Sequence, residues 1–270
     1  MRATLCASSD PVTSHVIAPD GARVSFRRSG AGAPLVLVHG SFSNRQAAWS
    51  RVEPIFRDRF TVYAVDRRNR GASSLSQGHS LLDEARDLIA LMQCIGEPVF
   101  LVGHAYGAQV ALAAARLAPQ CVRQVVLYEP PKPKAVAPAL LETLENVAAA
   151  GDWDQFATRF FRDGFSLPAA ALDDLRASDA WPSIVADAAA TLVDLRALSR
   201  HAFMPANHSG LFMPICLQVG SESSRDLYVT DALADVLPSR TLQVLDGQAH
   251  DAMTAAPEAY ADAVLRFFRS

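Results

Sequence analysis

At 270 residues and 29.0 kDa the chain is long enough for one full α/β domain with an insertion, and too short for more than two small domains. Half of its residues are hydrophobic and 20% are charged, with a formal net charge of −3 and no long run of either sign; this leaves no electrostatic footprint for nucleic acid or an anionic membrane and points to a small-molecule substrate as partner. No window approaches the roughly 18 consecutive apolar residues of a membrane-spanning helix, and the opening MRATLCASSDPVTSH has no apolar stretch of signal-peptide length, so a cytoplasmic location is expected.

In chain order, two strands at Ser14–Ile17 and Arg23–Arg28 flank the turn sequence APDG and predict a leading hairpin. The runs PLVLVHG, FTVYAVD, PVFLVGH and CVRQVVLYE follow, each an apolar strand that ends in polar residues or glycine. Between them, Gln46–Phe56, Leu81–Ile95 and Tyr106–Leu117 carry apolar residues at helical spacing. Strands alternating with helices predict a mostly parallel sheet covered on both faces, with ligands bound at the C-terminal strand ends.

Beyond Glu129 the pattern changes. The proline-rich PPKPKAVAP leads into helical sequence rich in alanine, leucine and aromatics, with helices expected at Ala137–Ala150, Trp153–Phe161, Ala169–Ala177 and Ile184–Leu198 and breaks at GD, DGFSLP, DAWPS and MPANHSG. Residues 131–211 are therefore expected to form an inserted helical cap, with 1–130 and 212–270 as the core. PICLQVG and TLQVLDG resume the sheet, and a helix at Pro257–Phe268 closes the chain. Cys6, Cys94, Cys121 and Cys216 are scattered singly, without the close pairs of a zinc or redox motif, and are expected to be reduced core thiols.

Four motifs in this order resemble the α/β-hydrolase superfamily over nearly the whole chain from Val24: LVLVHGSF, VDRRNRGASS, FLVGHAYGAQVALAAA and LDGQAHDAM. The resemblance implies an eight-stranded, mostly parallel sheet flanked by helices, with no cofactor and no metal. It also implies that GHAYG, residues 103–107, is the sharp strand-to-helix turn that presents a nucleophile, where a side chain at Gly103 or Gly107 would clash with neighbouring backbone. By the same resemblance the oxyanion donors are the backbone N–H groups of Ser41 and Tyr106, and His250 is the base. Phe42, beside Ser41, and Trp181 in the cap are expected to line the substrate pocket.

The usual family position for the acid, three residues beyond the glycine of QVGSESSRD, holds Ser223, with Glu222 and Asp226 nearby but out of step. Glu129 ends the strand after the elbow, a placement similar to one class of haloalkane dehalogenases and to zearalenone-type lactone hydrolases. Glu129 is the preferred acid, with Glu222 and Asp226 as alternatives. Its plain reading is a polar strand end paired with a lysine such as Lys132. His39 and His104 are read as positioning backbone, and Asp66 with Arg67, Arg68 and Arg70 as a structural ion-pair cluster.

Ala105 stands at the nucleophile position, where a methyl group can neither attack a carbonyl nor exchange a proton. Tyr106 replaces the tryptophan that follows an aspartate nucleophile in the dehalogenases, and Ser41 replaces their halide-binding asparagine, so the parent residue is expected to be serine and the parent substrate a carboxylic ester or lactone; the composition of the cap favours an apolar or aromatic one. Removing such a nucleophile costs on the order of 10⁶ in turnover. A deliberate Ser→Ala change that traps substrate is the preferred origin. The alternatives are a natural ligand-binding protein and a lyase or cyclase that uses His250 as base.

Overall fold

The computed structural model describes residues 12–76, 78–133 and 136–269. Cys6 and most of the opening segment, and Lys134 and Ala135 of the proline-rich stretch, lie outside the described residues. All eight expected strands form: β1 (Val12–Ile17), β2 (Arg23–Ser29), β3 (Ala33–Val38), β4 (Phe60–Val65), β5 (Val99–His104), β6 (Val122–Tyr128), β7 (Ile215–Gly220) and β8 (Arg240–Leu245). They join in one sheet in the order β1-β2-β4-β3-β5-β6-β7-β8. The hairpin β1–β2 is antiparallel and β2 runs antiparallel to β4, whereas every pairing from β4 to β8 is parallel.

The apolar runs are continuous because both faces of the sheet are covered. Val36, Val38, Leu101, Val125, Leu127 and Leu217 point to one face, against α3 (Leu81–Ile95) and α4 (Tyr106–Leu117). Their neighbours Leu35, Leu37, Phe100, Val102, Val126 and Cys216 point to the other. That second face is covered by α1 (Arg45–Trp49), α2 (Glu53–Phe56), α10 (Ala252–Ala255) and α11 (Pro257–Arg269). Helix α3 starts where Ser80 and Asp83 cap one another reciprocally and stops at Gly96, which adopts φ +84°. In α4 every residue from Tyr106 to Ala115 is buried, and its run of alanines lets the helix lie close to the strands.

Between β6 and β7 stand α5 (Pro138–Ala149), α6 (Trp153–Arg159), α7 (Ala169–Ala177) and α8 (Trp181–Arg200). Leu144, Phe156, Phe160, Ala188, Leu192 and Leu195 form a separate apolar cluster there, while Ala197 and Leu198 of α8 belong to the main core. A short helix, α9 (Thr230–Ala234), lies between β7 and β8.

Three expectations need correction. Gln46–Phe56 is two short helices, the second with Pro54 in its first turn, because a proline there lacks only a donor the turn does not use. For the same reason DAWPS does not break α8: Pro182 sits in the first turn, and the helix runs from Trp181 to Arg200 rather than from Ile184 to Leu198. Among the described cysteines only Cys216 is a core thiol; Cys94 is exposed and Cys121 half-buried. The apolar neighbours of Cys94 belong to the buried side of α3, and Cys94 itself faces away from it.

Candidate active site

Ala105 caps the junction of β5 and α4 with φ +50° and ψ −123°, a conformation that persists in a non-glycine residue only when its surroundings impose it. Those surroundings are tight. A Cβ on Gly103 would lie 2.6 Å from the Ala108 Cα, and one on Gly107 would lie 2.3 Å from the His39 carbonyl oxygen. The turn therefore needs both glycines and presents the methyl of Ala105 at the C-terminal edge of the sheet, above Gly40 of the β3 loop.

Glu129 follows β6 directly, also at positive φ (+51°), and is fully buried. One of its carboxylate oxygens accepts the Gly220 N–H at 2.8 Å; the other lies 2.5 Å from His250 Nδ1. Glu129 is thus joined to His250 and to the backbone at Gly220, and no described contact joins it to Lys132. Glu222 and Asp226 are exposed, and no described contact joins either to His250. Burial would push the Glu129 carboxyl up, but the hydrogen bond and charge of His250, with Ser223 and Gly220, hold it below its ordinary value. Burial would likewise lower His250, and the hydrogen bond and charge of Glu129 raise it instead.

Tyr228, which the sequence reading missed, stacks parallel to His250 with centroids 5.9 Å apart and interplanar angle 6°. Its hydroxyl lies 3.3 Å from His250 Nδ1. Phe165, inside the expected break DGFSLP, meets the His250 ring edge-on at 5.1 Å. It extends an aromatic roof in which Phe42 contacts Phe160 and Phe161 at 4.8 and 5.1 Å. The chain between α6 and Phe165 is a single wide π-turn, Phe160–Gly164. Trp181 is buried, gives its indole N–H to Asp154 at 2.7 Å and lies 6.3 Å from Phe161; it reaches this roof through Phe161 and has no described contact with His250.

His104 is buried against the carbonyl of His250 at 3.0 Å, and burial together with the His250 charge pushes it down to about 3, so it stays neutral. His39 accepts the Arg67 N–H at Nε2 and faces the Gly40 carbonyl through Nδ1. The arginine cluster is dispersed rather than gathered on Asp66. Asp66 pairs with Arg45 at 2.8 Å, and Arg68 with Asp87 and Asp20. Arg67 and Arg70 converge on Asp194 of α8, which is fully buried. His79, Glu84 and Asp194 lie close enough to hold a metal ion, with ligand atoms within 4.8 Å of one another. The Arg67 guanidinium already bonds both Glu84 and Asp194 and supplies positive charge there.

A strained strand-to-helix turn at Ala105, with a buried carboxylate paired to a half-buried histidine beside it on a sheet of this order, defines the α/β-hydrolase fold. The match to the alpha/beta hydrolase family spans residues 35–263, and the chain belongs to that family. It is 33% identical over 108 residues to the 2-(acetamidomethylene)succinate hydrolase of Mesorhizobium japonicum, covering 39% of this chain and 38% of that one. Over 99 residues it is 36% identical to the pimeloyl-[acyl-carrier protein] methyl ester esterase of Methylococcus capsulatus, covering 37% of each. These matches span less than two fifths of either relative. Among solved structures, an alpha/beta hydrolase from Sphaerobacter thermophilus superposes with a TM-score of 0.83 at 27% identity, over 94% of this chain and all of that one.

Proposed function

We propose that this chain has the frame of a serine-type carboxylic ester or lactone hydrolase and that Ala105 holds the place of the nucleophile. The observation that carries the reading is the His250–Glu129 pair at 2.5 Å beside an elbow whose strained geometry is intact at Ala105. In that frame His250, oriented by Glu129 through Nδ1, takes a proton from a hydroxyl at position 105 and later returns it to the leaving group. The N–H groups of Ser41 and Tyr106 stabilise the oxyanion, aided by the N-terminal dipole of α4. The helices between β6 and β7 act as a cap whose phenylalanines, with Phe42, favour an apolar or aromatic acyl group. The methyl ester esterase among the relatives supports an ester as the bond broken.

With a methyl group at 105 the acyl-enzyme cannot form, so the chain binds substrate without turning it over. Hydrolysis of p-nitrophenyl esters and aromatic lactones by this chain and by Ala105→Ser tests the reading. Turnover by the variant alone, with a gain on the order of 10⁶, is the expected result. Binding with no turnover in either protein would replace it with a ligand-binding protein. Activity in the unaltered chain that is lost on His250→Ala would assign His250 to non-covalent base chemistry.

A further inference from the structure

Helix α8 touches the sheet at the loop expected to supply an oxyanion donor. Asp187, Thr191 and Asp194, spaced four and three residues apart, share the helix face turned toward that loop. Ser41 donates its hydroxyl to Asp194 Oδ2 at 2.7 Å, and the Phe42 N–H donates to Thr191 Oγ1 at 2.9 Å. Arg67, paired with Asp194, donates to the carbonyls of His39 at 2.9 Å and Gly40 at 3.0 Å. Four consecutive residues, 39 to 42, are thus each tied to α8 directly or through Arg67. Phe42 has φ +52°, a conformation a phenylalanine keeps only when its environment imposes it. Thr191 is itself fixed, donating to Asp187 Oδ2 at 3.2 Å, which leaves a lone pair for Phe42.

We propose that Thr191 and Asp194 are positioning residues for the oxyanion loop, so that the loop acquires its working shape only when α8 is docked. Sheet contacts hold Gly40 under Ala105, but the turn at Ser41–Phe42 gets its hydrogen-bond partners from the inserted helix. Cap docking and oxyanion binding then rise and fall together. The proposal rests on the hydrolase reading for its kinetic consequence and not for its structural one.

Two measurements separate these. In the chain as it stands, amide exchange at Phe42 followed by NMR should quicken by about tenfold or more on Thr191→Val, with α3 amides unchanged and Thr191→Ser behaving like the parent. In the Ala105→Ser background, Thr191→Val should lower kcat by roughly ten- to hundredfold with KM within about twofold. Asp194→Asn should loosen the same amides; if it fails to fold, the nearly isosteric Thr191→Val still decides. Unchanged exchange at Phe42 would overturn the proposal. Should Ala105→Ser prove inert, the hydrolase reading fails and the exchange result alone decides this one.

Discussion

At the scale of single residues, the protonation of His250 is set by burial against a carboxylate. Burial disfavours the imidazolium, and Glu129 wins through its hydrogen bond and charge, holding His250 above its ordinary 6.5. NMR titration should find the His250 pKa above 6.5 in the unaltered chain and below it in Glu129→Gln, where burial remains and the counter-charge is gone. Stability follows by linkage. The His250 contribution is fully present below about pH 6.5 and fades as pH rises through its raised folded pKa. That of Glu129, whose folded pKa is depressed, is present above about pH 4.5 and fades as pH falls through the folded value. Glu129→Gln should therefore destabilise most between these limits, and urea unfolding at pH 5.5 and 8.5 should show the larger loss at 5.5. Tyr228→Phe removes an oxygen 3.3 Å from the His250 Nδ1–H and should lower the His250 pKa; no change would reduce Tyr228 to a stacking partner. Glu129 and His250 were expected together from the resemblance of the motifs that carry them, and the fold brings them within 2.5 Å of each other. Tyr228 and Phe165 were not, since each lies in irregular chain without periodicity and reaches His250 only through the tertiary fold.

At the scale of elements, the elbow makes a sharp distinction between glycines. Gly107→Ala would place a Cβ 2.3 Å from one backbone carbonyl oxygen and 2.4 Å from another, neither of which can turn aside. It should cost about 3 kcal/mol or more. Gly210 has open space where its Cβ would go, and Gly210→Ala should stay within about 0.5 kcal/mol of the parent. Equal losses in urea unfolding would contradict the geometry of the turn. Gly103 and Gly107 were legible from GHAYG because the motif carries a steric reason. The ends of α8 were less so: Pro182 was read as a break, although proline fits a first helical turn as well as a loop and only tertiary packing distinguishes the two. The docking face of α8 was hidden more deeply, because Asp187 and Asp194 look like solvated charges until Arg67 and Arg70 are placed opposite them.

At the scale of the whole molecule, the helices inserted between β6 and β7 have an apolar cluster of their own, which could make them a separately melting unit. Two features oppose that. Ala197 and Leu198 of α8 belong to the main core, together with Leu211 just before β7. Arg67 and Arg70 are tied to Asp194 at 2.7 and 2.8 Å with all three side chains buried, and breaking such a pair leaves an uncompensated charge that costs about 3–5 kcal/mol. Sheet and insertion should therefore unfold together. Calorimetry should show one transition, with calorimetric and van't Hoff enthalpies in agreement. Raising the salt to about 0.5 M should not split it, because screening acts weakly on buried pairs. Arg67→Met, which leaves Asp194 short of a partner, should lower the whole transition rather than detach a low-temperature one. Two resolved transitions in the parent would mean that α8 is held less firmly than its contacts imply, and the proposed coupling between α8 and the turn at Ser41–Phe42 would weaken with it.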